Sequence, residues 1–448
     1  MSAPIAPWVN LGPASAVAEH GDYLTGDIPG ADGAAIPVVV QNFRGTPKAF
    51  RNVCSHRYAL MQDQPSGRGL LRCPYHAWVY DADGVPTGIP FNDSDFQLDR
   101  EACRRLALTP VGLRLEGGRV WVHADPAAMI ETGELLPARW FTEPQSLADE
   151  IAAFRRQWRY VGTRLDLEAG PITRALLDTS LTVAPDLTGR DEAGRPLTVD
   201  TCGNLVFARA DGGDSLSLAA FLGPVADHLA RLSGQCDQPV AQDQVEFGAN
   251  WKALVENTMD DFHGSTVHPD TIHPAVHPDW QTHLETERFG RHSRSSWLMS
   301  DTTADWWRRI DAKATLRRVH DQPRYDHCFV FPDLYVASFF GAMVIIHTLD
   351  PLAVDRTRLS WRTFLPVAQP DRPATAAFRR SLTTMLSQSA RTVVLEDQPL
   401  CERVQQARAA ATGPGILGRR ERRIADFHHA WAQALGLDQP VRPADAPY

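Results

Sequence analysis

Over the first third of the chain, apolar and polar residues alternate in short runs broken by turn residues. Ala35–Gln41 (AIPVVVQ) is rich in β-branched residues and is stopped by Gly45 and Pro47, while Leu70–Cys73 and Ala77–Tyr80 precede a turn at Asp81–Gly84. Gly112–Leu115 and Arg119–His123 flank Glu116-Gly117-Gly118, the spacing of a hairpin. Strands this short and frequent predict a small antiparallel β domain over residues 1–145. Pro126, Gly133, Pro137 and Pro144 mark its end.

From residue 146 the period lengthens. Helical spacing runs through Ser217–Leu232, Asn250–His263, Ala376–Leu386 and Arg420–Leu435, with extended runs at Leu334–Leu349 and Arg358–Leu365. Helix and strand mixed without regular alternation predict an α+β domain over 146–448, not a doubly wound one.

Composition narrows the field. At 43% hydrophobic and 22% charged, the 448 residues form an ordinary globular chain. The net charge of −9 argues against binding nucleic acid by phosphate neutralisation. No apolar run approaches the roughly 18 residues of a membrane helix, and the N-terminal MSAPIAPWVNLGP has no basic segment leading into an apolar one. A cytoplasmic protein without membrane attachment is expected. The seven cysteines are too sparse for a disulfide scaffold. Most read as small buried hydrophobes, but Cys54 and Cys73 each have a histidine two or three residues later.

Cys54-Ser55-His56 and, sixteen residues on, Cys73-Pro74-Tyr75-His76 each supply one thiolate and one imidazole from a tight turn. A zinc finger pairs like with like, as C-x2–4-C and H-x3–5-H. Alternating types instead suit a [2Fe–2S] cluster with two thiolates on one iron and two neutral imidazoles on the other. Trp78 is placed to shield such a cluster. Further on, Trp251, Leu254, Val255, Met259 and Phe262 give a helix an apolar face, leaving Glu256, Asp260 and His263 on another. His263 and His268 would diverge on a continuous helix, but Gly264 and Ser265 permit a break. Two imidazoles plus a carboxylate form the facial triad of non-haem Fe(II) oxygenases.

The stretch from His20-Gly21-Asp22-Tyr23 through Phe50-Arg51-Asn52-Val53-Cys54-Ser55-His56-Arg57 to Cys73-Pro74-Tyr75-His76-Ala77-Trp78 resembles the Rieske domain of Rieske non-haem iron oxygenases, the terminal oxygenase α subunits of multicomponent systems. Asn250-Trp251-Lys252, Glu256-Asn257, Asp260, His263 and His268 match the second half of the family pattern. Tyr58 and Ala77 depart from it, standing where the family usually has glycine.

The resemblance implies a Rieske domain followed by a helix-grip (START-like) catalytic domain. It implies a [2Fe–2S] cluster at Cys54, His56, Cys73 and His76, and Fe(II) at His263, His268 and a downstream carboxylate. Asp397 is the best match for that carboxylate, with Glu396 and Glu402 as fallbacks and a helix N-cap before Pro399 as its structural reading. Asp260 is the expected bridge between His76 of one subunit and His263 of another in a homotrimer, or α3β3 with a β subunit. A one-residue slip would exchange it with Asp261. NAD(P)H electrons would arrive through a separate reductase, with or without a ferredoxin. Oxygenation of an aromatic or similar small organic substrate is the leading expectation. Attack on an amine or N-methyl compound is the alternative, and a simple electron carrier the third reading. Trp297, Trp306 and Trp307 read as packing, His320 and His327 as ordinary surface or core residues, and Arg419-Arg420-Glu421-Arg422-Arg423 as a solvated face or ferredoxin dock.

Overall fold

The computed structural model describes residues 8–30, 34–116, 118–123, 136–176, 179–210, 216–370, 372–411, 415, 417–418 and 421–437. Pro126, Gly133, Gly117 of the expected hairpin turn, Arg419 and Arg420 lie outside the described residues. Pro144 is not in a linker but opens the helix Pro144–Arg156, a position where proline's missing N–H costs nothing.

The N-terminal region is antiparallel β, as expected. A four-stranded sheet has the order Thr46–Arg51, Ala35–Phe43, Asp22–Pro29, Ser66–Arg68, beside a three-stranded sheet of Val9–Pro13, Arg119–His123 and Gly112–Glu116. Two turns project from it with matching hydrogen bonds. The amide of Tyr58 donates to the carbonyl of Cys54, and that of Ala77 to Cys73, both at 3.0 Å. Both turn residues are left-handed, with φ 63° and 60°. That conformation costs an L-residue roughly 1–2 kcal/mol, which explains the family's preference for glycine at each.

Residues 159–210 form a six-stranded antiparallel sheet that the hydrophobic pattern did not reveal. Its own small core holds Val161, Leu181, Val183, Leu197, Val206 and Ala208. Buried ion pairs from Arg159 and Arg174 to Asp333, at 2.5 and 2.6 Å, tie it to the C-terminal region.

The C-terminal region is a seven-stranded antiparallel sheet covered by helices. Its strands are β1 (Pro239–Phe247), β2 (Glu285–Phe289), β3 (His292–Leu298), β4 (Arg324–Val330), β5 (Leu334–Phe339), β6 (Met343–Ala353) and β7 (Arg356–Phe364), in the order β1-β7-β6-β5-β4-β3-β2. The single extended run expected at Leu334–Leu349 is a hairpin, turned by Phe340 and Gly341 with positive φ.

Three helices matter for the site: α1 (Trp251–Met259), α2 (Pro373–Arg408) and α3 (Arg422–Leu435). Asn250 caps α1, its Oδ1 accepting from the Lys252 amide at 3.0 Å. Trp251 Nε1 and Lys252 Nζ both donate to buried Glu150, so all three residues of Asn-Trp-Lys have structural partners. Helix α1 is buried on nearly all sides and stops at Met259, so Asp260 and His263 lie beyond it instead of on its face. Glu256 stays inside, paired with Arg57, Arg408 and His428. Far longer than its periodicity suggested, α2 carries Pro399 in its interior, and Asp397 is therefore no N-cap. Among the described residues no helix is long and apolar enough to cross a membrane.

Candidate metal centres

The two N-terminal turns bring together Cys54, His56, Cys73 and His76, all buried. The imidazoles lie 4.6 Å apart between ring centres, and Trp78 stacks on His56 at 4.7 Å, covering it as expected. Neither Nδ1 has a hydrogen-bond partner, although both are buried. Both Nε2 atoms, by contrast, meet carboxylates: His56 lies 2.9 Å from Glu421 Oε2, and His76 meets Asp260 Oδ2. Burial pushes His76 down to about 4 despite Asp260, so the neutral ring donates from Nε2 and leaves its Nδ1 lone pair free. Both cysteines are unpaired, and Tyr80 Oη lies 3.0 Å from Cys54 Sγ. Two orphaned imidazole nitrogens and two free thiols on the same pair of turns, with both outer N–H groups held by carboxylates, fit a [2Fe–2S] cluster.

A second convergence lies just beyond α1. After Met259 the chain fans out: Asp260 and Phe262 turn toward His76, Asp261 toward Ser295 of the C-terminal sheet, and His263 toward Asp397 on α2. A separate helical turn, Gly264–Val267, then delivers His268. His268 Nε2 lies 3.0 Å, and His263 Nε2 3.5 Å, from Asp397 Oδ1. Burial would lower His263, but Asp260 and Asp397 outweigh it and raise the imidazole to about 10. Ligand atoms of His263, His268 and Asp397 all lie within 4.8 Å of one another, and Asp397 Oδ1 and His268 Nε2 lack hydrogen-bond partners. Two histidines and one carboxylate could hold ferrous iron.

The fallback carboxylates have other partners. Glu396 Oε2 accepts from His268 Nδ1 at 2.7 Å, orienting that ring from behind. Glu402 accepts from the Gly248 amide and from Gln398.

Asp260 joins the two clusters. Its Oδ2 accepts from His76 and, at 2.8 Å, from Arg57 Nη1; its Oδ1 lies 3.8 Å from His263 Nδ1. Burial opposes its charge, but His76, His263 and Arg57 hold the carboxyl well below its usual range. In this structure the contact is made within one chain. Arg57 reaches Glu421 and Glu256 as well, so one guanidinium ties both outer carboxylates together.

Sequence reasoning missed Glu421. The basic run is not a solvated face at its described positions, since Glu421 and Arg423 are both buried. The apolar stripe Ile424, Phe427, Trp431, extended one turn back, reaches residue 421 and could have signalled it.

Beside the second cluster, Asp261 is buried and accepts from Trp297 Nε1 at 3.1 Å and Ser295 Oγ at 3.2 Å. Burial and the neighbouring Asp260 charge raise it to about 6. Trp297, Tyr325 and Phe339 stand in cross-strand register on β3, β4 and β5. Their sheet face is the one covered by α1, since Tyr335 on it donates to the Val255 carbonyl. All three rings nevertheless keep accessible surface, and the Asp397 charge reaches Tyr325. Trp297 is therefore not simple packing.

Two sets of unpaired metal-binding atoms, joined through one buried carboxylate, define a protein of the two-centre iron class. Residues 7–106 match the family model for the Rieske [2Fe-2S] domain, and residues 238–437 that for the ring hydroxylating alpha subunit (catalytic domain). The chain belongs to the family of Rieske-type oxygenase α subunits. The six-stranded sheet at 159–210 falls between the two matches. Among relatives, the chain is 30% identical over 122 residues to the carnitine monooxygenase oxygenase subunit of Escherichia coli K12, covering 27% of this chain and 31% of that one. It is 34% identical over 108 residues to the glycine betaine monooxygenase oxygenase subunit of Chromohalobacter salexigens, 23% of each. With the chloroplastic choline monooxygenase of Spinacia oleracea the identity is 27% over 133 residues, 30% of this chain and 28% of that one. Each match spans less than a third of the relative's length.

Proposed function

We propose that this chain is the terminal oxygenase of a multicomponent system acting on a small organic cation, an N-methyl amine or quaternary ammonium compound. The observation that carries this reading is the Trp297, Tyr325, Phe339 row with the buried Asp261 carboxylate at its edge and Tyr325 within reach of the Asp397 charge. Ring faces attract a cation most strongly where water is scarce, and a buried carboxylate adds charge where a neutral arene would need none. The relatives' names, carnitine, glycine betaine and choline monooxygenase, support the same class.

In this reading Cys54, His56, Cys73 and His76 hold the [2Fe–2S] cluster, and His263, His268 and Asp397 hold Fe(II). When bound, these groups supply one-electron storage and dioxygen activation. The chain's own residues do the rest. Asp260 stays ionised and fixes the tautomer of His76; Glu421 holds His56; Glu396 orients His268; Trp78 excludes water from the first centre. Electrons come from NAD(P)H through a reductase, with or without a ferredoxin.

Oxygen uptake and product formation by the reconstituted system, tried on methylated ammonium compounds, methylamines, anilines and aromatic acids, test the substrate class. Turnover of cations that is lost in Trp297→Ala and Asp261→Asn fits the proposal; turnover of neutral arenes alone overturns it in favour of ring hydroxylation. The family resemblance implies a homotrimer in which neighbouring subunits share the relay. Mixing His76→Ala with His263→Ala chains tests it: restored turnover belongs to the shared relay, none to the same-chain contact.

A further inference from the structure

Deeper along the same sheet face lies a group of polar side chains that neither iron site uses. Arg423, from the first turn of α3, is 1% exposed. Its Nε donates to Ser293 Oγ at 3.0 Å and its Nη2 to His327 Nδ1 at 3.3 Å, while Nη1 has no partner among the described residues. Because His327 Nδ1 accepts, the neutral ring carries its proton on Nε2, and that buried Nε2–H is also without a partner. His347 adds a third unpartnered nitrogen, Nδ1. These residues are neighbours: His327 stacks on Tyr335 at 5.0 Å, and Tyr335 pairs across β5 and β6 with His347.

Buried donors without acceptors are costly, and a buried guanidinium most of all. Asp261 is close enough to feel the charge of Arg423 but makes no hydrogen bond to it. A carboxylate is acceptor-only and would satisfy two or three such donors at once.

We infer that Arg423, His327 and His347 form a carboxylate subsite, so that the substrate is a zwitterion with its cationic nitrogen against Trp297, Tyr325 and Asp261 and its acid end on Arg423. This rests on the cationic-substrate reading above and adds the second charge. His327 and Arg423 are then specificity-determining residues.

Four probes separate the two charges: glycine betaine, choline, and their uncharged-carbon isosteres 3,3-dimethylbutanoate and 3,3-dimethylbutan-1-ol. Binding to the iron-loaded protein is measured anaerobically by titration calorimetry. The acid should bind at least about tenfold more tightly than the matching alcohol, the scale of charge-assisted hydrogen bonds, within both the ammonium and the carbon pair. Arg423→Gln should bring each acid to within about twofold of its alcohol while leaving choline binding in place. Should that variant fail to fold, His347→Gln, at a half-buried position, should reduce the same preference. Acids and alcohols binding equally to the native protein, or a preference unchanged in the variants that fold, would overturn the subsite. Loss of the ammonium-over-carbon preference alone strikes instead at the cationic reading.

Discussion

Replacing Asp260 by Asn changes one atom and tests the link between the centres. Its carboxylate accepts three hydrogen bonds, from His76 Nε2 and Arg57 Nη1 on Oδ2 and from the Phe262 amide at 2.6 Å on Oδ1, and Oδ1 also lies 3.8 Å from His263 Nδ1. An amide keeps one acceptor and turns two hydrogens on neighbours that are all donors. At least one charge-assisted bond is therefore lost, at roughly 1.5–3 kcal/mol. With about 1.4 kcal/mol per factor of ten, cluster reoxidation should slow roughly ten- to a hundredfold if the bridge steadies the transfer geometry. The assay is stopped-flow reoxidation of the prereduced protein with substrate and O2, alongside iron analysis. Both centres should stay loaded, at about three irons per chain as the ligand sets require. Native-like reoxidation would refute the bridge, and a fall to two irons would make Asp260 a ligand.

Other outcomes follow from the same geometry. Glu256→Gln leaves buried Arg57 and Arg408 short of a counter-charge and should cost about 3–5 kcal/mol in denaturant unfolding; a loss below 1 kcal/mol contradicts the network. Burial opposes the Glu256 charge, but Arg408, His428 and Arg57 hold it well below the ordinary glutamate value of 4.5, so its contribution is present above that pH and fades below it. Acid unfolding should thus be shallower in the variant than in the native protein. Because Asp260 and Asp397 raise the His263 imidazole to about 10 against the effect of burial, Fe(II) entering at pH 7 should displace a proton; calorimetry in buffers of different ionisation enthalpy should find about one proton released per iron, and none would argue against His263 as a ligand. Glu396→Gln should weaken iron about ten- to a hundredfold through His268, an effect that equilibrium competition with a chelator measures. Ala77→Gly should raise the unfolding midpoint by relieving the left-handed backbone, a gain of up to about 1 kcal/mol after the entropy of glycine is subtracted.

Much of the chemistry was legible because ligands cluster in sequence. Cys54, His56, Cys73 and His76 sit in two turns, and His263 and His268 are five residues apart, so spacing alone narrows the metal. The N-terminal β region was equally plain, since β-branched runs alternate with turn residues. What stayed hidden depends on tertiary context. The strands of 159–210 are short and partly polar, as in Thr179–Val183, and resemble turns until stacked. Helix α2 has few buried positions along 36 residues, leaving its periodicity too weak to show its length. Glu421 and Arg423 were disguised by flanking arginines, because charge predicts exposure unless a buried partner exists.

Within eight residues, the C-terminal strap serves three masters. Glu421 steadies His56, Arg423 reaches the inner sheet, and His428 meets Glu256 at 2.9 Å. Trimming the protein after residue 411 would therefore strip His56, His327 and Glu256 of buried partners together, and a tag fused there without a spacer risks the same. The strap's sequence is also poorly free to drift, since each substitution answers to several sites at once.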